Sequence, residues 1–223
     1  MSDERRAPRL DEATAASLLA FLGLAGELKT VRRQGWVDRG VPRAESVAEH
    51  SYRAALMGLV LGELAGLDGV RLAAILLIHD LPEARAGDLT PYRNLLADGL
   101  ALNEALTRWR ELAVPERLAD DRRDKLRREA TAMAEAVQDL PQALAERLTQ
   151  LWAEYAERST PEGRFAVQID KIEALLQAVE YQRAGHAADV NNFLRTAREE
   201  VSDPLLVELV ACVEGLIHGG STE

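Results

Sequence analysis

Apolar residues recur at helical spacing along nearly the whole chain. Between Ala13 and Thr30 the positions Leu18, Leu19, Phe21, Leu22, Leu24 and Leu28 follow that period and predict a helix. The pattern breaks from Val31 to Val47, where Gly35, Gly40 and Pro42 interrupt it and Arg32, Arg33, Arg39 and Arg43 make the stretch basic. Ser46-Val47-Ala48-Glu49 has the form of a capping box ahead of an apolar run, so a helix starts there, carries His50 in its first turn and continues through Leu64. Asp68-Gly69 marks a turn. Val70 to Ile78 is apolar on nearly every side, as expected of a helix in the middle of a fold. His79-Asp80 closes it, because Pro82 disfavours helical geometry at Leu81. Pro82 can in turn open the next helix, with Glu83 in its first turn.

The loop Gly87-Asp88-Leu89-Thr90-Pro91 precedes a helical stretch from Asn94 to Leu112 and a turn at Val114-Pro115. A charged segment from Asp120 to Glu129 then runs into a helix ending near Leu140, and Pro141 opens another through Tyr155. Thr160 as cap with Pro161 behind it begins a helix whose one face holds Phe165, Ile169, Ile172, Leu176 and Val179, with Asp170 at its edge. Val190–Val201 and Pro204–Ile217 complete the chain. No strand pattern and no repeat occur. The expectation is an all-α bundle, one domain over residues 13–223 behind a loose polar tail at 1–12.

Composition narrows this further. Of 223 residues 47% are hydrophobic but only 4% aromatic, so the core is built from Leu, Ala and Val, which favour helix. A net charge of −10 with no basic face argues against a nucleic-acid partner. Cys212 is the single cysteine, which removes disulfides and cysteine-based zinc sites and leaves it as a small apolar residue of the last helix. The first ten residues lack the apolar core of a signal peptide, and no apolar run has the length to span a bilayer. A cytoplasmic protein with no membrane partner is expected.

The candidate chemistry lies between Val47 and Asp88. His50 and His79 sit in apolar runs, where an unpaired imidazole is costly. With Asp80 they offer nitrogen and carboxylate donors suited to a divalent ion. Such an ion makes water a nucleophile near neutral pH, and Glu83 and Asp88 could move the protons. From spacing alone, a structural hydrogen-bonded pair is the competing reading.

The blocks LKTVRRQGWVDRGV, ESVAEHSYRAALM, LLIHDLPEARAGDLTP and FAVQIDKIEALLQAVEY, in that order within a span of about Leu18 to Tyr181, resemble the HD-domain metal-dependent phosphohydrolases, most closely their 5′-deoxynucleotidase-like branch. The resemblance implies an HD-type helical bundle. It implies one divalent metal (manganese, cobalt, iron, nickel or zinc) held by His50, His79, Asp80 and the distant Asp170, with Glu83 and Asp88 catalytic. It implies that Arg33 and Trp36 position a nucleotide substrate, with Arg32 or Arg39 as alternatives for the arginine. Glu129 would support a second ion, magnesium. Relatives commonly dimerise, so a homodimer is implied, the Leu/Val-rich last helix offering a face. Residues 93–123 match the family poorly, and no lid is inferred there. The implied reaction is hydrolysis of deoxynucleoside 5′-monophosphates. Other nucleotides (triphosphates, alarmones, cyclic nucleotides) stay open as substrates, as does a non-catalytic metal- or nucleotide-binding module.

Overall fold

The computed structural model describes residues 10–112 and 115–218, with the side chains of 115–120 and 218 left aside. Most of the tail expected at 1–12 therefore lies outside the described residues. Its end is ordered by helix formation: Asp11 accepts the Thr14 N–H at 2.8 Å and caps α1 (Glu12–Glu27). The basic stretch that follows holds a short α2 (Gln34–Asp38) and one isolated antiparallel bridge, Arg32 to Ser46. No other strand pairing occurs among the described residues, and the all-α expectation holds.

The capping box at Ser46 forms as read, with Glu49 closing back on it, and starts α3 (Val47–Leu64). α4 (Gly69–Ile78) is capped by Asp68, and after Pro82 comes α5 (Glu83–Ala86). The helix expected from Asn94 to Leu112 is divided into α6 (Arg93–Ala97) and α7 (Leu102–Glu111), because Gly99 takes φ +91° between them. The turn expected at Val114-Pro115 falls partly on residues outside the description, and Pro115 opens α8 (Pro115–Val137). α9 (Gln142–Glu157), α10 (Pro161–Arg183, capped by Thr160), α11 (Val190–Glu200) and α12 (Pro204–His218) follow. Among the described residues no helix is long and apolar enough to cross a membrane.

α10 is the axis of the molecule, touching α3, α4, α9, α11 and α12. Glycine sets two of the closest crossings. A Cβ on Gly62 would lie 3.0 Å from Gly69 Cα, so α3 and α4 meet backbone to backbone. A Cβ on Gly163 would lie 2.0 Å from the Glu154 carbonyl oxygen, which no rotamer change relieves. The large core gathers Ala54, Leu72, Ile75, Leu76, Phe165, Ile169, Ile172 and Leu175. A smaller one gathers Leu28, Val47, Leu81, Met133, Val137 and Trp152. Val47 and Ala54 of α3 belong to different clusters, as do Leu76 and Leu81. His50 and His79-Asp80 thus fall where the two cores meet.

α4 is not enclosed on all sides, as its composition suggested: Val70 and Leu77 are 69% and 57% exposed. The outer face of α3 is also apolar, with Tyr52, Leu56, Val60 and Leu64 open to solvent at helical spacing. On α12, by contrast, Leu206, Val210 and Val213 are buried, and Cys212 is exposed rather than packed.

Candidate metal centre

Local rules bring distant side chains to one point. The Ser46 cap fixes the first turn of α3, with the His50 N–H on the Ser46 carbonyl at 3.1 Å, and this turn aims His50 inward. α4 ends at His79, after which Leu81 and Glu83 donate to the Ile78 and Asp80 carbonyls at 3.0 Å in tight turns. Adjacent residues on a regular helix diverge by about 100°; here the break before Pro82 lets His79 Nε2 and Asp80 Oδ2 approach to 3.1 Å. Asp170 arrives on α10.

His50 Nε2 lies 3.3 Å from His79 Nε2, 3.2 Å from Asp170 Oδ1 and 3.6 Å from Asp80 Oδ2. His50, His79 and Asp170 present donor atoms all within 4.8 Å of one another, and all three are buried. Two imidazole nitrogens facing each other beside two carboxylates form a mixed nitrogen and oxygen donor set of the kind that could hold a divalent cation.

The far side of each ring is also held. His79 Nδ1 lies 2.7 Å from the Leu76 carbonyl and so donates, leaving Nε2 as the lone-pair nitrogen. His50 Nδ1 meets Glu173, which is wholly buried and takes Arg53 Nε at 2.9 Å. Burial and Arg33 press His50 toward its neutral form, but the Glu173 and Asp170 carboxylates outweigh them and lift its pKa to about 10 in the metal-free protein. Burial likewise opposes ionisation of Asp80 and Asp170. Their polar neighbours (His79 and Arg33 for Asp80; Lys171, His50 and Arg33 for Asp170) prevail and hold both well below the usual carboxylate range.

Arg33 is brought into the cluster, with Nη1 3.1 Å from Asp80 Oδ2 and Nη2 3.8 Å from Asp170 Oδ1. The alternatives are not: Arg32 turns to the Ala44 carbonyl and Glu49, and Arg39 to the Gly35 carbonyl and Tyr92. Asp88 Oδ2 accepts the Gln34 backbone N–H at 2.7 Å. Glu83 is 4% exposed and its Oε2 has no hydrogen-bond partner. Burial first, then Asp80 and Asp88, push its pKa well above the ordinary value.

Trp36, expected to contact substrate, is placed in the core. It is 2% exposed, stacks on Phe193 at 4.6 Å, meets Tyr181 edge-on and donates Nε1–H to Glu45 at 2.9 Å. These contacts anchor the basic loop to α10 and α11.

A cavity of 640 Å³ opens beside the cluster, lined by Lys125 and Glu129 of α8, Lys171 of α10, Arg93, Trp109 and the loop after Asp88. Lys171 Nζ is 3.0 Å from Asp170 Oδ2, which joins cavity to cluster. The poorly matching segment 93–123 thus supplies one wall of this cavity. Glu129 is paired with Lys125 at 3.3 Å.

Sequence reasoning missed Glu173, Arg53, Glu45 and Tyr155, whose hydroxyl donates to Asp170 Oδ2 at 3.1 Å. One signal was readable: Glu173 stands between Ile169, Ile172 and Leu175 on the inward face of α10, where a charge needs a partner.

The family model described as HD domain matches residues 25–206. The human protein named 5′-deoxynucleotidase HDDC2 is 35% identical over 201 residues, covering 90% of this chain and 86% of that protein. The Schizosaccharomyces pombe 5′-deoxynucleotidase hdd1 is 30% identical over 178 residues, 78% of this chain and 77% of its own. A solved structure of a predicted metal-dependent phosphohydrolase from Magnetospirillum magnetotacticum MS-1 aligns with a TM-score of 0.61 at 28% identity, over 94% of this chain and 98% of that one. A conserved hypothetical protein from Pyrococcus furiosus gives 0.62 at 28% identity, over 88% and 98%.

Proposed function

The chain belongs to the HD domain family, and from that premise we propose that it is a metal-dependent phosphomonoesterase acting on deoxynucleoside 5′-monophosphates. The observation that carries the proposal is the convergence of His50, His79, Asp80 and Asp170 on one buried point, near Glu83, whose buried Oε2 has no hydrogen-bond partner. The substrate class follows the names of the relatives.

Under this reading His50, His79, Asp80 and Asp170 hold one divalent transition metal: manganese, cobalt, iron, nickel or zinc. When bound, the ion supplies Lewis acidity and a nucleophilic water near neutral pH. Arg33, already turned toward Asp80 and Asp170, offsets phosphate charge with its paired N–H groups. Asp88 keeps one oxygen for the water and takes its proton as the water oxygen bonds to phosphorus. The bond from phosphorus to the 5′-oxygen breaks, and protonated Glu83 donates to that oxygen as the nucleoside leaves. Base and sugar occupy the cavity lined by Lys125, Lys171 and Trp109, whose volume suits a mononucleotide. A second ion, magnesium, would find Glu129 on the cavity wall beside Lys125. The open apolar face of α3 is the surface through which we place a second copy of the chain.

The test is phosphate release from a panel of nucleotides by metal-reconstituted protein. Release from deoxynucleoside monophosphates in preference to ribonucleotides, triphosphates and cyclic nucleotides supports the proposal. Metal uptake without release from any monophosphate defeats the substrate assignment.

A further inference from the structure

We propose that Glu173, clamped by Arg53, is a positioning residue that makes His50 the stronger of the two imidazole donors. This inference rests on the metal-centre reading above. The two rings are held differently on their far sides. His79 leans on a neutral backbone carbonyl, that of Leu76. His50 leans on a carboxylate that is itself fully buried. A carboxylate accepting the ring N–H fixes the tautomer and raises the donor strength of the opposite nitrogen.

The arrangement is built rather than incidental. Asp170, Glu173, Gln177 and Glu180 recur on α10 at the spacing of one helix face, and His50 and Arg53 stand three apart on α3. Arg53 spreads its guanidinium along that row: Nε at 2.9 Å and Nη2 at 2.8 Å on Glu173, Nη2 at 2.8 Å on Gln177 and Nη1 at 2.7 Å on Glu180. Both Arg53 contacts fall on Glu173 Oε1 while Oε2 meets His50, so each carboxylate oxygen is held and Glu173 has little freedom to turn from the ring. Glu173 is fully buried against His50 and Arg53 reaches the ring through Glu173, so both act through His50.

Cobalt(II) alone is the probe, titrated into the full chain against a competing chelator, with an unfolding midpoint recorded for each variant. Glu173→Gln is expected to weaken cobalt binding about 10–100-fold while remaining folded. Arg53→Met is expected to weaken it less, and the double variant no more than Glu173→Gln alone. In the cobalt-loaded Arg53→Met protein, the shifted ring N–H signal of His50 should exchange with solvent faster than in wild type, and that of His79 should not change. Wild-type affinity in Glu173→Gln, or losses that multiply in the double variant, overturns the inference while leaving the metal centre standing. Wild-type protein that takes up no cobalt overturns both. If Glu173→Gln does not fold, Arg53→Met decides alone: unchanged affinity and unchanged exchange overturn the proposal.

Discussion

The Gln34 backbone N–H donates to Asp88 Oδ2 at 2.7 Å, fastening the basic loop to the loop that follows α5. Because Arg33 immediately precedes Gln34, the same bond helps hold the guanidinium against Asp80 and Asp170. Under the proposed mechanism Asp88 then has two separable tasks, one structural and one chemical.

Asp88→Asn separates them. The amide oxygen still accepts from Gln34, but the side chain no longer takes a proton from water. The turnover number should fall by about 10²–10⁴-fold, with KM and metal content near wild type. A loss carried by KM would make Asp88 only a fastening point, which steady-state kinetics beside metal analysis distinguishes.

Asp170→Ala tests the ligand that comes from farthest along the chain. The carboxylate accepts from Tyr155 and Lys171 and lies near His50 and Arg33, so its removal strands buried cationic and polar partners. Removing one member of a buried charge pair costs about 3–5 kcal/mol, and metal should be lost on gel filtration. Asp170→Ala protein that keeps a full complement of metal would refute the assignment.

Trp36→Phe checks the role that burial gives this ring. Phenylalanine keeps the stack on Phe193 but removes the Nε1–H that Glu45 accepts. Glu45 is already lifted to about 7 by burial and by Glu173. Leaving a buried acceptor unpaired costs about 1–3 kcal/mol, visible as a lower urea midpoint. KM should not move, whereas a ring that packed on substrate would raise it.

The ligand histidines were legible because an imidazole inside an apolar helix is conspicuous, and Pro82 showed where neighbours could converge. Arg53 was not, and Glu173 only through its apolar neighbours on α10, because a glutamate or arginine on a helix is usually solvated and packing decides which one is covered. Trp36 illustrates the same limit. Its place near the arginine was readable, but the direction of its ring depends on Phe193 and Tyr181, far along the chain. The exposure of α4 and the outer face of α3 was hidden for the converse reason, since apolar composition does not say whether a surface is covered within one chain.

That outer face supplies a test of assembly. Val60 is 52% exposed in the single chain and lies between Leu56 and Leu64 on the apolar stripe. Val60→Glu should leave the fold of each chain within about 0.5 kcal/mol of wild type, as surface changes usually do. Sedimentation should nevertheless show a dimer reduced to single chains. A dimer of undiminished stability would move the contact away from α3.

Glu83 gives the pH prediction its sign. In the metal-free protein burial, with Asp80 and Asp88 nearby, raises its pKa well above the ordinary 4.5, so the folded state holds this proton more tightly than the unfolded chain. Below the unfolded value both states are protonated and Glu83 adds no pH dependence. Above it the unfolded chain releases the proton first, so the contribution of Glu83 to stability falls as pH rises until the folded group also ionises. Glu83→Gln has no proton to release. Its stability should match that of wild type at about pH 4 and exceed it increasingly toward neutrality, read by urea unfolding of chelator-treated protein. Under the proposed mechanism the same substitution removes the proton donor to the leaving oxygen, so the more stable protein should be the slower enzyme. A difference in stability that does not change with pH would mean that Glu83 is ionised in the fold, and the proton donor would then have to be another group.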